Sequence, residues 1–219
     1  AFAVDRTEVI LMALRELMAK KLIPLIPIYV DSPMALTALN FYREAITNNT
    51  PEIRDGVSDR WANQDPFDSG KLMQAQTSEE SKKINDITET SIIISASGMA
   101  TGGRVVHHLE HMLPDEKNTV ILVGYQALGS RGRSLEEGAP EIKMHGKFVP
   151  VRAHIAKVES FSVHADADEL IEWLGKAPKP EKIFVIHGEQ GAQEAMANRI
   201  VDQLNWNAIV PKPSQVITL

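Results

Sequence analysis

The stretch "SIIISASGMATGGRVVHHLEHML", residues 91–113, constrains the fold more than any other part of this chain. Three consecutive isoleucines read as a strand buried on both faces, the pattern of a parallel sheet. The run ends in small residues, Ser95, Ser97 and Gly98, and passes through Gly102 and Gly103 into a helical pattern. A strand that hands over to a helix through a tight turn is the repeating unit of an α/β protein, because the helix must cover a sheet face. The hand-over recurs in "LIPIYV" before "DSPMALTALNFYREAI", in "TVILVGY" before "QALGSRGRSL", and in "KIFVIHG" before a helix predicted over 190–204. Ser32 supplies a capping hydroxyl, and Pro33 takes the first helical position, where its missing N–H costs nothing. Val9, Ile10, Ala13, Leu14, Leu17 and Met18 form one apolar stripe of a helix over 7–20. The fold class is therefore α/β.

Two stretches break the alternation. Residues 48–90 are polar and rich in turn formers; Trp61 and Phe67 are expected to pin this excursion, and Ser78 to cap a short helix within it. Past residue 136 the pattern becomes two-residue alternation around His145-Gly146, a β-hairpin, and "SQVITL" reads as a closing strand. No apolar run approaches the roughly 18–20 residues of a membrane span. The absence of cysteine excludes disulfides and thiolate metal sites and fits a reducing cytoplasm. A formal net charge of −6 excludes a globally basic nucleic-acid binder but leaves room for a local basic groove. The chain opens on "AFAVDRTEVI" without methionine, as if a strand were already ending, and reads as part of a longer polypeptide.

Open α/β sheets bind ligands at the carboxyl ends of their strands. There Ser95, Ser97, Gly98, Gly102 and Gly103 allow close backbone approach to an anion, and Arg104 adds a cation. The turn fits no Walker or dinucleotide fingerprint, so a plain strand-to-helix turn remains the competing reading. "GSRGRSL" repeats the chemistry with Ser130, Arg131 and Arg133, two of them suited to forked phosphate contacts, against the alternative of a solvated loop. His187 follows "KIFVI", where a rigid strand end suits a zinc ligand. His164 stands on a turn before a helix, with Asp166 and Asp168 placed to orient its ring or to cap that helix. Two histidines do not make a closed zinc site. His107, His108 and His111 fall on a helix, and the shared face of His107 and His111 lacks the glutamate of HExxH.

Six motifs occur in one order: "AFAVDRT", "DSPMA", "SASGMATGGR", "GYQALGSRGR", "FSVHAD" and "VIHGE". In this the chain resembles the β-CASP family of RNA-processing metallo-β-lactamases. The resemblance implies a Rossmann-like β-CASP domain over 1–135, with a mostly parallel sheet flanked by helices. Residues 136–219 would be the hairpin and α/β segment that completes the metallo-β-lactamase fold, the RNA-specificity region. It implies hydrolysis of RNA phosphodiester bonds at a pair of zinc ions in the cleft between the two domains. His164, with Asp166, would act at the scissile phosphate or leaving group; His187 would be a zinc ligand. Ser162 and the two glycine-rich turns would flank the RNA. The family's HxHxDH motif is absent here, and Asp5 stands where its pattern has glycine. The resemblance thus predicts that zinc is absent or weakly bound and that this chain alone is inactive. Its partners would be RNA and the upstream half of the same polypeptide, with a homodimer as a further state. Three other readings compete: a non-catalytic RNA-binding module, a small-molecule metallo-hydrolase, and a purely structural domain.

Overall fold

A computed structural model describes residues 1–162 and 164–217. The chain divides into two compact units, Ala1–Val163 and His164–Leu219.

The first unit is α/β. Helix α1 (Arg6–Ala19) leads into β1 (Ile28–Asp31) and α2 (Pro33–Asn48). The excursion carries α3 (Val57–Trp61), β2 (Leu72–Gln74) and α4 (Ser78–Ile84), and β3 (Ile92–Ser95) follows. These strands make a parallel sheet of order β2-β1-β3, with Asp31 level with Ser95 where two strands end together. Ser32 caps α2 by accepting from the Ala35 amide. The cap of α4 is Thr77 rather than Ser78: its hydroxyl takes the Glu80 amide while Glu80 returns to the amides of Gln76 and Thr77. That reciprocal box satisfies more orphan donors than a cap one residue later. Ile10, Leu11, Leu36, Leu39, Ile28, Val30 and Ile94 form the core here, and Phe67 joins it, anchoring the excursion. Trp61 is only half-buried, and the guanidinium groups of Arg15 and Arg60 both lie over its ring.

Helix α5 (Arg104–Met112), β4 (Thr119–Leu122) and α6 (Arg131–Glu136) come next. Strands β5 (Glu141–Met144) and β6 (Lys147–Pro150) form the hairpin about His145-Gly146, and β7 (His154–Lys157) pairs in parallel with β4. Ile142, Met144 and Val149 of the hairpin share one core with Leu109, Leu113, Leu122 and Leu135. The compact unit therefore runs past residue 135, where the sequence pattern changes: the hairpin buries its apolar face against α5 and α6.

The second unit holds α7 (Ala167–Gly175), β8 (Ile183–Phe184), α8 (Gln190–Leu204) and β9 (Ala208–Ile209), around Ile171, Ile200 and Trp206. The pairing partner of β8 is β9, not the tail. Residues 214–217 are not strand, since Gln215 turns back on the Lys212 carbonyl and Pro211 and Pro213 offer no N–H; residues 218–219 lie outside the described residues.

Two buried features carry stability predictions. Glu8, 3% exposed, has neither carboxylate oxygen bonded to another residue among those described. Burial pushes its pKa up to about 7, the Asp5 charge pushes the same way, and its own amide opposes. The folded form thus holds a proton that the unfolded form has released, so this residue makes stability fall as pH rises from about 4.5 to about 7. Glu8→Gln is expected to match the parent at pH 4 and exceed it by about 1–2 kcal/mol at pH 8. Urea unfolding at both values checks this, and parallel pH curves would refute it. The second feature is Gly132, where an added Cβ would lie 1.7 Å from Gln126 Oε1 and 3.2 Å from the Met99 carbonyl. Gln126 is 1% exposed and its amide holds the Gly98 and Gly124 carbonyls, so it cannot step aside without losing both. Gly132→Ala should cost about 1–3 kcal/mol by overpacking; an unchanged thermal midpoint would mean that Gln126 moves freely.

Candidate functional site

The parallel ends of β1 and β3 place Asp31 at the centre of the first unit's polar interior. Its side chain is fully buried. One oxygen receives Arg104 Nη1 at 2.6 Å; the other receives Ser81 Oγ and meets His108 Nε2, each at 2.6 Å. Burial by itself would raise the Asp31 pKa, but the bonds from His108, Ser81 and Arg104 outweigh it and hold the carboxyl below the usual range. His108 is anchored on its far side by Asn85 Oδ1 at 2.7 Å.

The glycine-rich turn grows from this network. Ser95 is buried and donates to the Asp31 carbonyl at 2.9 Å. Ser97 Oγ lies 2.9 Å from Thr101 Oγ1 and accepts the Thr101 amide, closing the turn on itself. Gly98 faces the Phe2 ring, which a Cβ would meet at 2.9 Å. Gly103 has φ +78 and lies so near the Ala96 carbonyl that a Cβ would reach 2.8 Å, which only glycine avoids. Gly102 has open space around it. Arg104, read from sequence as a cation for phosphate, directs its guanidinium inward to Asp31 and to the Ala75 and Gln76 carbonyls. The reason is distance along the chain: Asp31 lies 73 positions away, and only strand pairing brings it close.

The second turn behaves alike. Ser130 is buried and caps α6 through the Arg133 amide while donating to the Ala127 carbonyl. Arg131 ties the first turn to the hairpin, its Nε on the Lys143 carbonyl and its Nη1 on those of Ala100 and Thr101. Arg133 pairs with Glu137 one helical turn on. Each of the three arginines thus already serves the protein's own carbonyls or carboxylates.

Ser162 is exposed at the end of the first unit. In the second unit His164 is exposed on the turn before α7. Asp166 is the N-cap of α7: its Oδ1 accepts the amides of Asp168 and Glu169, and Glu169 returns to the Asp166 amide. That bonding serves the helix. His187 lies three residues beyond β8, since the ladder ends at Phe184 and only the Val185 amide continues it, onto Ile209. It is exposed, with φ +63, a left-handed conformation uncommon for a residue with a Cβ. Val163, in the middle of "FSVHAD", lies outside the described residues.

A zinc centre needs three or four converging donors. Among the described residues, His107, Glu110 and His145 of the first unit form the one such group, and it includes neither His164 nor His187. The described residues do not by themselves fit a zinc centre at His187, which offers a single imidazole. Sequence reasoning missed Asp31, His108 and Gln126. "DSPMA" drew attention to Asp31 only as a motif letter, and His108 sits one position off the face shared by His107 and His111.

Residues 7–135 match the Beta-Casp domain model, and residues 149–211 match the Zn-dependent metallo-hydrolase RNA specificity domain. An RNase J-like protein of Methanocaldococcus jannaschii is 36% identical over 218 residues, 100% of this chain and 49% of that protein. A ribonuclease of Thermus thermophilus is 34% identical over 86% of this chain and 42% of its own length. A transcription termination factor of Methanosarcina mazei is 31% identical over 93% of this chain and 32% of its own length. The chain thus spans half or less of each of these relatives. No helix among the described residues is long and apolar enough to cross a membrane.

Proposed function

Since this chain belongs to the β-CASP family of RNA-processing metallo-β-lactamases, we propose that it is the C-terminal part of a zinc-dependent ribonuclease hydrolysing RNA phosphodiester bonds. Its division would follow the family pattern, a β-CASP domain to residue 135 and a returning segment from 136. His187 carries the reading. A side chain held on a left-handed backbone with its imidazole in solvent costs the fold about 1 kcal/mol or more, a cost that persists where a function requires the geometry. His187 would serve as one neutral imidazole ligand to zinc, the remaining ligands coming from outside this chain. His164 would donate a proton to the departing oxygen or stabilise charge on the phosphate. Asp166 would hold the His164 turn against α7 rather than take part in proton transfer, because its bonds are those of a helix cap.

The turns over 97–103 and 129–133 would flank the RNA through exposed backbone and Ser97, with Ser162 beside them. Arg104, Arg131 and Arg133 would shape these turns, since their guanidinium groups are already engaged. The localisation would be cytoplasmic and the partners RNA and the upstream half of the polypeptide.

The test compares RNA cleavage by this chain with cleavage by the same polypeptide extended upstream. Cleavage by the extended form alone supports the proposal. An extended form that binds RNA without cutting it would favour the RNA-binding module, and one that prefers a small ester would favour the metallo-hydrolase.

A further inference from the structure

We propose that His107, Glu110 and His145 form a site for one divalent transition-metal ion of the zinc class. His107 and Glu110 lie three residues apart on α5 and so share a face. His145 reaches them from the hairpin, 35 positions beyond Glu110. Its Nδ1 lies 2.7 Å from Glu110 Oε2, and its ring stacks on that of His107 with centroids 4.4 Å apart. One donor atom from each residue falls within a set spanning at most 4.8 Å. Ligands on a tetrahedral ion with bonds of about 2.0–2.1 Å stand roughly 3.3 Å apart. Both imidazoles are exposed and so can turn about their side-chain bonds toward that spacing.

The hairpin turn points the same way. His145 has φ +45 and Gly146 φ +82, the paired left-handed geometry of a two-residue turn whose first position favours Asn, Asp or Gly. A histidine there is a costlier choice, and what it gains is an imidazole aimed at Glu110. Beside the cluster, Gly102, Gly103 and Arg131 help to line a hollow of about 430 Å³, which leaves room for water to complete the coordination.

Two nitrogen donors and one carboxylate select zinc, nickel, cobalt or copper over magnesium or calcium, which want oxygen cages. This is not a generic acidic surface. Lys147 Nζ sits 3.2 Å from Glu110 Oε1 and Arg131 lines the neighbouring hollow, so cations reach the site through the imidazoles and against local positive charge. His111, although on the same helix, turns its Nδ1 back to the His107 carbonyl at 2.9 Å and stands outside the cluster. The site belongs to residues other than those proposed for catalysis, so its fate and that of the ribonuclease reading are separable.

The experiment is calorimetric titration of Zn²⁺, with Co²⁺ absorbance as a second readout, into the tag-free 219-residue chain. One equivalent should bind. His107→Ala and His145→Asn should each weaken it at least about tenfold. Asn is itself at home in this turn, so the second variant keeps the hairpin. Lys147→Gln should tighten binding by freeing Glu110, and His111→Ala and His187→Ala should leave it unchanged. The proposal is overturned by the absence of saturable uptake, by unchanged uptake in His145→Asn, or by loss of uptake in His187→Ala or His111→Ala.

Discussion

Asp31→Ala is expected to cost about 3–5 kcal/mol of folding stability, the range found when one partner of a buried charge pair is removed. The carboxylate is fully buried and is the shared acceptor for Arg104, Ser81 and His108. Removing it strands a guanidinium that is 19% exposed and an imidazole that is 6% exposed, and it opens the space where β1 and β3 end together. Denaturant unfolding monitored by tryptophan fluorescence reads the effect. Should the variant fail to fold, Asp31→Asn keeps the shape and isolates the charge, and a cycle with Arg104→Gln gives the coupling between the two. A loss below about 0.5 kcal/mol in either would show that water, not Asp31, balances these donors. The same pair sets an acid limit. Because the folded carboxyl titrates below its ordinary value, its contribution is complete above the unfolded pKa and is lost as pH falls through the folded one. Acid unfolding of the parent should therefore be steeper than that of Asp31→Asn.

In the upstream-extended protein, His164→Ala should lower the cleavage rate by about 10²–10⁴-fold with RNA affinity and zinc content kept, the size of a general acid's contribution. His187→Ala should lose cleavage together with the zinc that His187 would hold, while an ion at His107, Glu110 and His145 stays bound. The two signatures differ because one residue would handle a proton and the other a metal ion. Rates within tenfold of the parent for both would remove this chain's histidines from the chemistry and refute the roles proposed for them. His187 carries the additional strain of φ +63, so His187→Gly should fold at least as well as the parent while remaining inactive.

Much of the architecture was legible in local pattern. The Ser32-Pro33 start of α2, the hairpin at His145-Gly146 and the span of α8 all follow from residues within a few positions of one another. Caps, turns and apolar periodicity act over one or two helical turns, so they leave their mark in the order of letters. The β-CASP membership was legible too, because six motifs in fixed order record it.

What the letters did not carry was the partner of each polar side chain. Arg104 and Arg131 have the composition of phosphate binders, yet Arg104 closes on Asp31 and Arg131 on carbonyls of the other turn and the hairpin. Asp5 takes a left-handed φ of +60 and accepts a bond from the Tyr42 hydroxyl, 37 positions away. The sequence by itself determined most of the helices and strands, their alternation and the family, but not the closing strand, which lies at Ala208–Ile209 rather than in the tail. The tertiary structure decided which charges meet, because the sheet order β2-β1-β3 and the packing of the hairpin on α5 set those distances, and a buried charge settles on whichever partner the fold brings within reach.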